Sequence, residues 1–500
     1  MSGHDARLVR NTSVAVLALV ALRLVAAAWT PLTFDEAYYW MWSKHLAFGY
    51  YDHPPMVAYV IRAGTMIAGD TEFGVRLVSI LLALPMSFAV YRTAAILFGG
   101  VRVAASAAIL LNATLMAAVG TLIVTPDSPL LVAASFVLFF LAKVLRTGRG
   151  AWWLAVGAAV GCALLSKYTA LFFGAGILIW LLAVPSQRHW LVTPWPYLGG
   201  LAALAIFTPV ILWNADHQWV SFIKQMGRAR IEDFRPAFIA ELVPTQVAFA
   251  TPLVFILGAM GLHALAWRSE GERPARVLVG AMFWTIVAYF FWHSLHARVE
   301  ANWFAPVYPA FVVAAAVAAH RVPWQMREQR LADFCLHWAG PVGVLMFALL
   351  IVQANTGMLS GYRRDATVRS VGVGWRELAS RIEAVRARLG ATCVLAPDYG
   401  TTGWLAFYLP RGSCVVQPTQ RIRWVNMPEP DPAQLAGPLL FVDEARPGGR
   451  PYLKAGFAHV EEAAELPRKR GPLIIETYAL NLLSGPKGDV LDRSPPPELQ

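Results

Sequence analysis

Two acids stand side by side just after the first long apolar run of this chain, Asp35 and Glu36, in the segment Thr33-Phe34-Asp35-Glu36-Ala37-Tyr38-Tyr39-Trp40. Ionisable groups at the mouth of a membrane span are costly to hold near hydrocarbon, so they are functional candidates. A carboxylate there can take a proton from an acceptor hydroxyl or amine as it attacks a sugar carbon, while its neighbour orients the acceptor. The structural alternative is an N-cap, with Asp35 accepting backbone N–H bonds from a helix over Ala37–Leu46. The two roles are compatible.

Further polar clusters follow. In Gly49-Tyr50-Tyr51-Asp52-His53-Pro54-Pro55, Asp52 and His53 could bind a phosphate through a cation, or His53 could touch it directly; the alternative is a turn with a capping Asp. Asp127, in Thr125-Pro126-Asp127-Ser128-Pro129, reads locally as an N-cap for the span that follows. Lys167, with Tyr168 beside it, either snorkels or neutralises a lipid phosphate. Arg228 and Arg230 offer the same choice and could grip phosphate in a fork. His217 lies in the aromatic and amide run Trp213–Trp219, and His296, Arg298, Glu300 and Asn302 open a late span. Asp52, His53 and His296 are weak metal candidates, because no ligand spacing requires a metal. No cofactor is expected to be required, and a divalent cation is left open.

These residues need a scaffold, and composition names it. The chain is 57% hydrophobic and 15% charged, with mean hydropathy +0.50. Soluble domains carry about 25% charge, so this is an integral membrane protein. The net charge of +11 reflects Arg and Lys in short loops, with anionic lipid as a further attraction, rather than nucleic acid. About eleven spans are expected, roughly 13–30, 72–98, 101–120, 127–145, 151–166, 168–185, 196–213, 244–267, 276–293, 303–320 and 336–355. The first is read as a retained span, since no clean small-x-small cleavage site precedes the polar segment. Basic loops after the fourth, sixth, eighth and tenth spans place the N-terminus in the cytoplasm. Every polar cluster above then falls on the opposite, periplasmic face. Within the first loop, amphipathic stretches at Ala37–Leu46 and Val57–Ile67 read as interfacial helices.

After about Gly361 the apolar runs shorten. A helix is expected over Trp375–Leu389, strands at Thr392–Pro397, Cys414–Val416 and Leu439–Asp443, and a helix over Thr402–Leu409. The expected organisation is an α-helical polytopic membrane domain over 1–360, a small periplasmic α/β domain over 361–482 and a disordered tail over 483–500. Cys393 and Cys414 could pair outside the cytoplasm or remain two free thiols.

Taken in order, Asp35 to Trp40, Gly49 to Pro55, Thr125 to Pro129, Leu165-Ser166-Lys167-Tyr168, Trp213 to Phe222 and Ala406-Phe407-Tyr408-Leu409-Pro410 resemble the bacterial family 39/83 glycosyltransferases of the GT-C superfamily. The aminoarabinose lipid A transferases and protein O-mannosyltransferases are relatives. The resemblance covers nearly the whole chain. It implies an inner-membrane enzyme that passes a sugar from a polyprenyl-phosphate carrier to a periplasmic-side glycolipid, glycan or protein. It makes Asp35 the general base. It places Asp52 and His53 near the donor phosphate, where the aminoarabinose transferases carry an acid followed by Lys. Lys167, Arg228, Arg230 and His296 are further phosphate or sugar contacts under the same resemblance. A single displacement would invert the anomeric centre. The alternative is a lipid-linked sugar flippase that binds the same headgroup without chemistry. Such transporters usually hold ionisable groups within spans, whereas these lie in loops. The sugar and the acceptor stay open.

Overall fold

The computed structural model describes residues 3–228, 233–268, 273–359, 365–445 and 451–494. The chain divides into two compact units. One comprises Met1–Val25, His53–Val60 and Arg76–Ala348; the other comprises Ala26–Asp52, Ile61–Val75 and Leu349–Gln500. Ala26–Asp52 and Ile61–Val75 therefore cluster with the C-terminal region while His53–Val60 does not, a grouping that differs from the boundary expected near residue 360.

The first unit is helical. Among the described residues, seven helices are long and apolar enough to cross a membrane, or up to ten if each of three bent pairs is one span. Ten of the eleven expected spans have a counterpart in that set. The remaining one, near 151–166, is the 13-residue helix Trp152–Leu164. At 1.5 Å per residue it reaches about 20 Å, short of a hydrocarbon core of about 30 Å. The bends have local causes. Ala237–Ala250 and Pro252–Trp267 meet at 102°, where Pro252 lacks an N–H and Thr251 is left at φ 64°.

Helices in this unit pack through small residues. A Cβ added to Gly157 would lie 2.0 Å from the Gly199 carbonyl oxygen, so Trp152–Leu164 and Trp195–Asp216 touch backbone to backbone. Gly261 meets Ala314 in the same way, seating Pro252–His263 on Tyr308–His320. The helical stretch Ala301–His320 is the interior element, 89% buried, while Gly3–Trp29 is 33% buried and turns Val14, Leu17 and Val25 outward. Small-residue contacts of this kind replace the hydrophobic driving force that lipid removes. The fully buried Arg23 is satisfied by Asn112 Oδ1 at 3.0 Å and Thr121 Oγ1 at 3.3 Å.

In the second unit, the expected first-loop helices are Phe34–Lys44 and Met56–Ala68, the latter divided between the units. The C-terminal sheet has five strands: β1 Cys393–Leu395, β2 Val415–Val416, β3 Leu439–Glu444, β4 Phe457–Arg470 and β5 Leu473–Pro486. The order is β2-β1-β3-β5-β4, with β1 parallel to β2 and β3, and β5 antiparallel to β3 and β4. Strand β3 is central and apolar on both faces, and Leu439, Phe441, Cys393 and Leu483 form its core. The helices Trp375–Arg388 and Tyr399–Tyr408 lie near their expected positions. The long β4–β5 hairpin was not expected. Residues 483–486, expected in a disordered tail, end β5, and Leu491 is buried in the same core. Cys393 and Cys414 form a disulfide with Cα atoms 4.7 Å apart.

Candidate active site

The acid pair of the first loop divides its labour. Thr33 is the N-cap of Phe34–Lys44. Its hydroxyl accepts from the Glu36 N–H at 3.2 Å, and its own N–H donates to Glu36 Oε2 at 2.9 Å. This reciprocal capping box satisfies two orphan donors. Glu36, expected as a second catalytic acid, is fully buried and takes part in this capping box. The capping role proposed for Asp35 belongs to Thr33 instead. Asp35 turns its carboxylate elsewhere: the Tyr399 hydroxyl donates to Asp35 Oδ1 at 3.2 Å.

Tyr399 opens the helix Tyr399–Tyr408, which Asp398 caps by accepting from the Thr401 N–H at 2.9 Å. That helix packs closely on Phe34–Lys44. A Cβ on Gly403 would sit 2.8 Å from the Tyr38 nitrogen. No side chain fits between the two helices, which explains how a residue 364 positions away reaches Asp35.

Asp52 is buried in the same unit. It accepts from the Tyr38 hydroxyl at 2.8 Å and pairs with Arg423 Nη1 at 2.5 Å. The Arg423 guanidinium lies 5.1 Å from the Tyr51 ring centroid and 4.9 Å from that of Tyr399. Burial is the largest single influence and works against its charge, but the Asp52 and Tyr38 charges and hydrogen bonds together more than offset it, so its pKa is raised. Burial, then Asp52, pushes the Tyr38 phenol up; burial, then Asp35, does the same for Tyr39 and Tyr399. The two carboxylates thus share a unit with phenols that hold their protons and a guanidinium that holds its charge.

The helical unit carries a second cluster. Asp127 receives two bonds from Lys167 Nζ, at 2.8 and 2.9 Å, and one from Asn302 Nδ2 at 2.6 Å. Both charged side chains are buried, and Lys167 lies 5.7 Å from the Trp303 ring centroid. Asp127 is not the N-cap expected: Pro126 holds that position without a side-chain bond, and Ser128 Oγ accepts from the Thr125 N–H at 3.1 Å. Lys167 is buried rather than snorkelling, and Asp127 balances its charge.

Other expected site residues have partners of their own. Tyr168 shares a hydrogen bond with Ser221 at 2.8 Å. His217 stacks on Trp213, with its Nδ1 2.7 Å from the Trp213 carbonyl oxygen. His296 packs on Trp292, with its Nδ1 3.1 Å from that residue's carbonyl oxygen. Arg298 donates through Nε to Glu241 at 2.8 Å, and Glu300 adds a favourable charge beside it. His53 is buried. Arg230 and the side chain of Arg228 lie outside the described residues. Among the described residues no group of three or more His, Cys, Asp or Glu is placed to hold a metal ion, and Asp52, His53 and His296 form none.

Sequence reasoning missed Tyr399, Arg423 and Tyr38. The run Arg421-Ile422-Arg423-Trp424 carried the one available signal, cations beside an aromatic in an otherwise ordinary α/β domain.

A cavity of about 470 Å³ opens among the helices of the first unit, lined by Phe255, Phe283, Trp284, Phe304, Tyr308 and Phe311 among others. Its surface is aromatic and apolar, as a hydrocarbon ligand requires.

The protein family described as dolichyl-phosphate-mannose-protein mannosyltransferase matches residues 52–213. The lipid A galacturonosyltransferase RgtD of Rhizobium johnstonii is 30% identical over 184 residues, 37% of this chain and 38% of that protein. The match thus spans well under half of that relative. Two crystal structures of ArnT from Cupriavidus metallidurans superpose with a TM-score of 0.67 each. The one bound to undecaprenyl phosphate is 18% identical and covers 95% of this chain and 99% of its own. The apo form is 17% identical and covers 97% and 100%. The chain has the GT-C fold, a many-helix membrane part with a small C-terminal sheet domain, and the resemblance carried by its loop motifs stands.

Proposed function

We propose that this protein is an inverting glycosyltransferase that moves a sugar from a polyprenyl-phosphate carrier to an acceptor at the periplasmic face of the bacterial inner membrane. One observation carries the reading. Of two adjacent first-loop acids, the fold uses Glu36 as a cap and presents Asp35 to a tyrosine hydroxyl.

Asp35 takes the proton from the acceptor hydroxyl as that oxygen attacks the anomeric carbon. The new C–O bond forms on one face while the bond to phosphate oxygen breaks on the other. The electron pair leaves with the phosphate, so the centre inverts. A phosphate leaving group needs cations rather than a proton donor. The aromatic cavity suits a prenyl segment. The ArnT structure with undecaprenyl phosphate supports that class of donor, and the named activity of RgtD supports a lipid A-type glycolipid as acceptor. Basic loops alternating with polar ones favour an inside N-terminus, and the Cys393–Cys414 disulfide favours an oxidising compartment for the C-terminal domain.

Purified protein incubated with radiolabelled polyprenyl-phosphate sugar and membrane extract should label a glycolipid fraction. Donor binding with no labelled product would replace this reading with that of a flippase.

A further inference from the structure

The C-terminal domain was assigned no chemistry by the sequence, yet within its unit it reaches two first-loop acids, Asp35 and Asp52. Tyr399 donates to Asp35, and Arg423 pairs with Asp52. The surrounding contacts fix these two in place. Trp424 packs edge-on against Tyr38 with centroids 5.4 Å apart, and Asn426 Nδ2 donates to the Gly49 carbonyl at 2.8 Å. Arg423 Nε is held by Gln420 Oε1 at 2.7 Å. A domain that only shielded the site or selected acceptors would not need a buried cation and a phenol trained on these two carboxylates.

We propose that the C-terminal domain is part of the transfer site, with Tyr399 a positioning residue for Asp35. This rests on the reading of Asp35 as the base. One phenolic O–H bonded to one carboxylate oxygen fixes the rotation of the carboxylate and favours its ionised form. Burial, followed by the nearby Asp35 and Asp52 charges, pushes the Tyr399 phenol up, so it remains a donor across the working pH range. Arg423, 4.9 Å from the Tyr399 ring centroid, braces that ring while neutralising Asp52. The titratable groups around Asp35 in this unit are Glu36, Tyr38 and Tyr39 on its own helix, Tyr399 on the facing helix, and Asp52 and Arg423 beyond them. Tyr399, which donates a hydrogen bond to Asp35, comes from the C-terminal domain.

The test is the pH profile of transfer by the full-length protein and by Tyr399→Phe, which keeps the ring and its packing. The acidic limb of kcat should move up by on the order of half to one pH unit, with the KM for donor within about twofold. A profile superposable on wild type would overturn the proposal, as would a uniform fall in kcat with the limb unmoved. If Tyr399→Phe does not accumulate, Arg423→Lys and Arg423→Gln give the second measurement. Lys, which keeps the charge opposite Asp52, should retain more kcat than Gln at unchanged KM, and equal kcat in both would overturn the role of Arg423. A wild-type protein that binds donor and transfers nothing defeats the functional reading itself, and this inference with it.

Discussion

Asp127 and Lys167 lie 40 positions apart and meet as a buried two-point ion pair, with Asn302 bound to the same carboxylate. The pair ties the start of one span to the turn before another. Neither charge can be removed alone without leaving its partner stranded.

Lys167→Met should therefore destabilise the protein by about 3–5 kcal/mol, the usual cost of an uncompensated buried charge. Asp127→Asn combined with Lys167→Met should recover most of that loss. Thermal denaturation in detergent compares the three proteins. A Lys167→Met protein that melts with wild type would show that the pair contributes nothing to the helical unit.

The contact between Trp152–Leu164 and Trp195–Asp216 depends on missing side chains. Gly157→Ala would force a carbon to within 2.0 Å of a backbone oxygen and should cost about 1–3 kcal/mol. Gly200→Ala, one residue along from the contact glycine of the partner helix, meets nothing within 4 Å and should be neutral. Equal melting temperatures for the two variants would remove the close-packing explanation.

Cys393 and Cys414 close a loop across 21 positions between β1 and β2, a link worth about 3 kcal/mol by chain entropy. Thiol labelling of denatured, unreduced protein should modify Cys162 and Cys335 alone. Cys414→Ser should lower the melting temperature of the domain. Four labelled cysteines in protein taken from membranes would contradict both the link and the oxidising location.

The helix that carries Asp35 is anchored at its far end by Lys44 and Trp40, both bonded to Asp70. Burial alone would raise the Asp70 carboxyl, but the Lys44 and Trp40 hydrogen bonds and the Lys44 and Arg411 charges hold it below its ordinary value of 3.8. A depressed carboxylate stabilises the fold above the unfolded-state value, and the gain is lost as pH falls through the folded-state value. Asp70→Asn should therefore melt below wild type at pH 7, by on the order of 0.2–1 kcal/mol for a partly exposed pair. The gap should close below about pH 3.8. A gap that persists unchanged in acid would assign it to something other than the charge on Asp70.

Spans were legible because hydrophobic length is a one-dimensional signal. Their breaks were less so, since Thr251-Pro252 bends a segment whose composition is uniformly apolar. Within the site, the first-loop acids announced themselves by standing beside a span. Their division of roles did not: telling Asp35 from Glu36 required knowing that Thr33 starts the helix, although the Thr33–Glu36 spacing of a capping box was present to be read. Asp127 reads as a cap on local chemistry, and only the fold brings Lys167 to it. The pairing of Tyr399 with Asp35 and of Arg423 with Asp52 was out of reach, because partners more than 360 positions away leave no trace in local pattern, and the cations beside Trp424 marked only that segment. The β4–β5 hairpin was overlooked for a different reason. Its outer strand carries Glu461, Glu462, Glu465, Arg468, Lys469 and Arg470, and the buried positions of β5, Ile475, Tyr478, Leu480 and Leu483, are unevenly spaced, so neither strand shows a period of two.

The most direct measurement is sugar transfer by purified Asp35→Asn from a radiolabelled polyprenyl-phosphate donor, with donor binding followed in parallel. Asn keeps the shape of the side chain and a hydrogen-bond acceptor for Tyr399 but cannot take a proton. The account predicts a fall in kcat of about 10²–10⁴-fold, with folding and donor binding retained. Transfer at the wild-type rate by a correctly folded Asp35→Asn protein would contradict it.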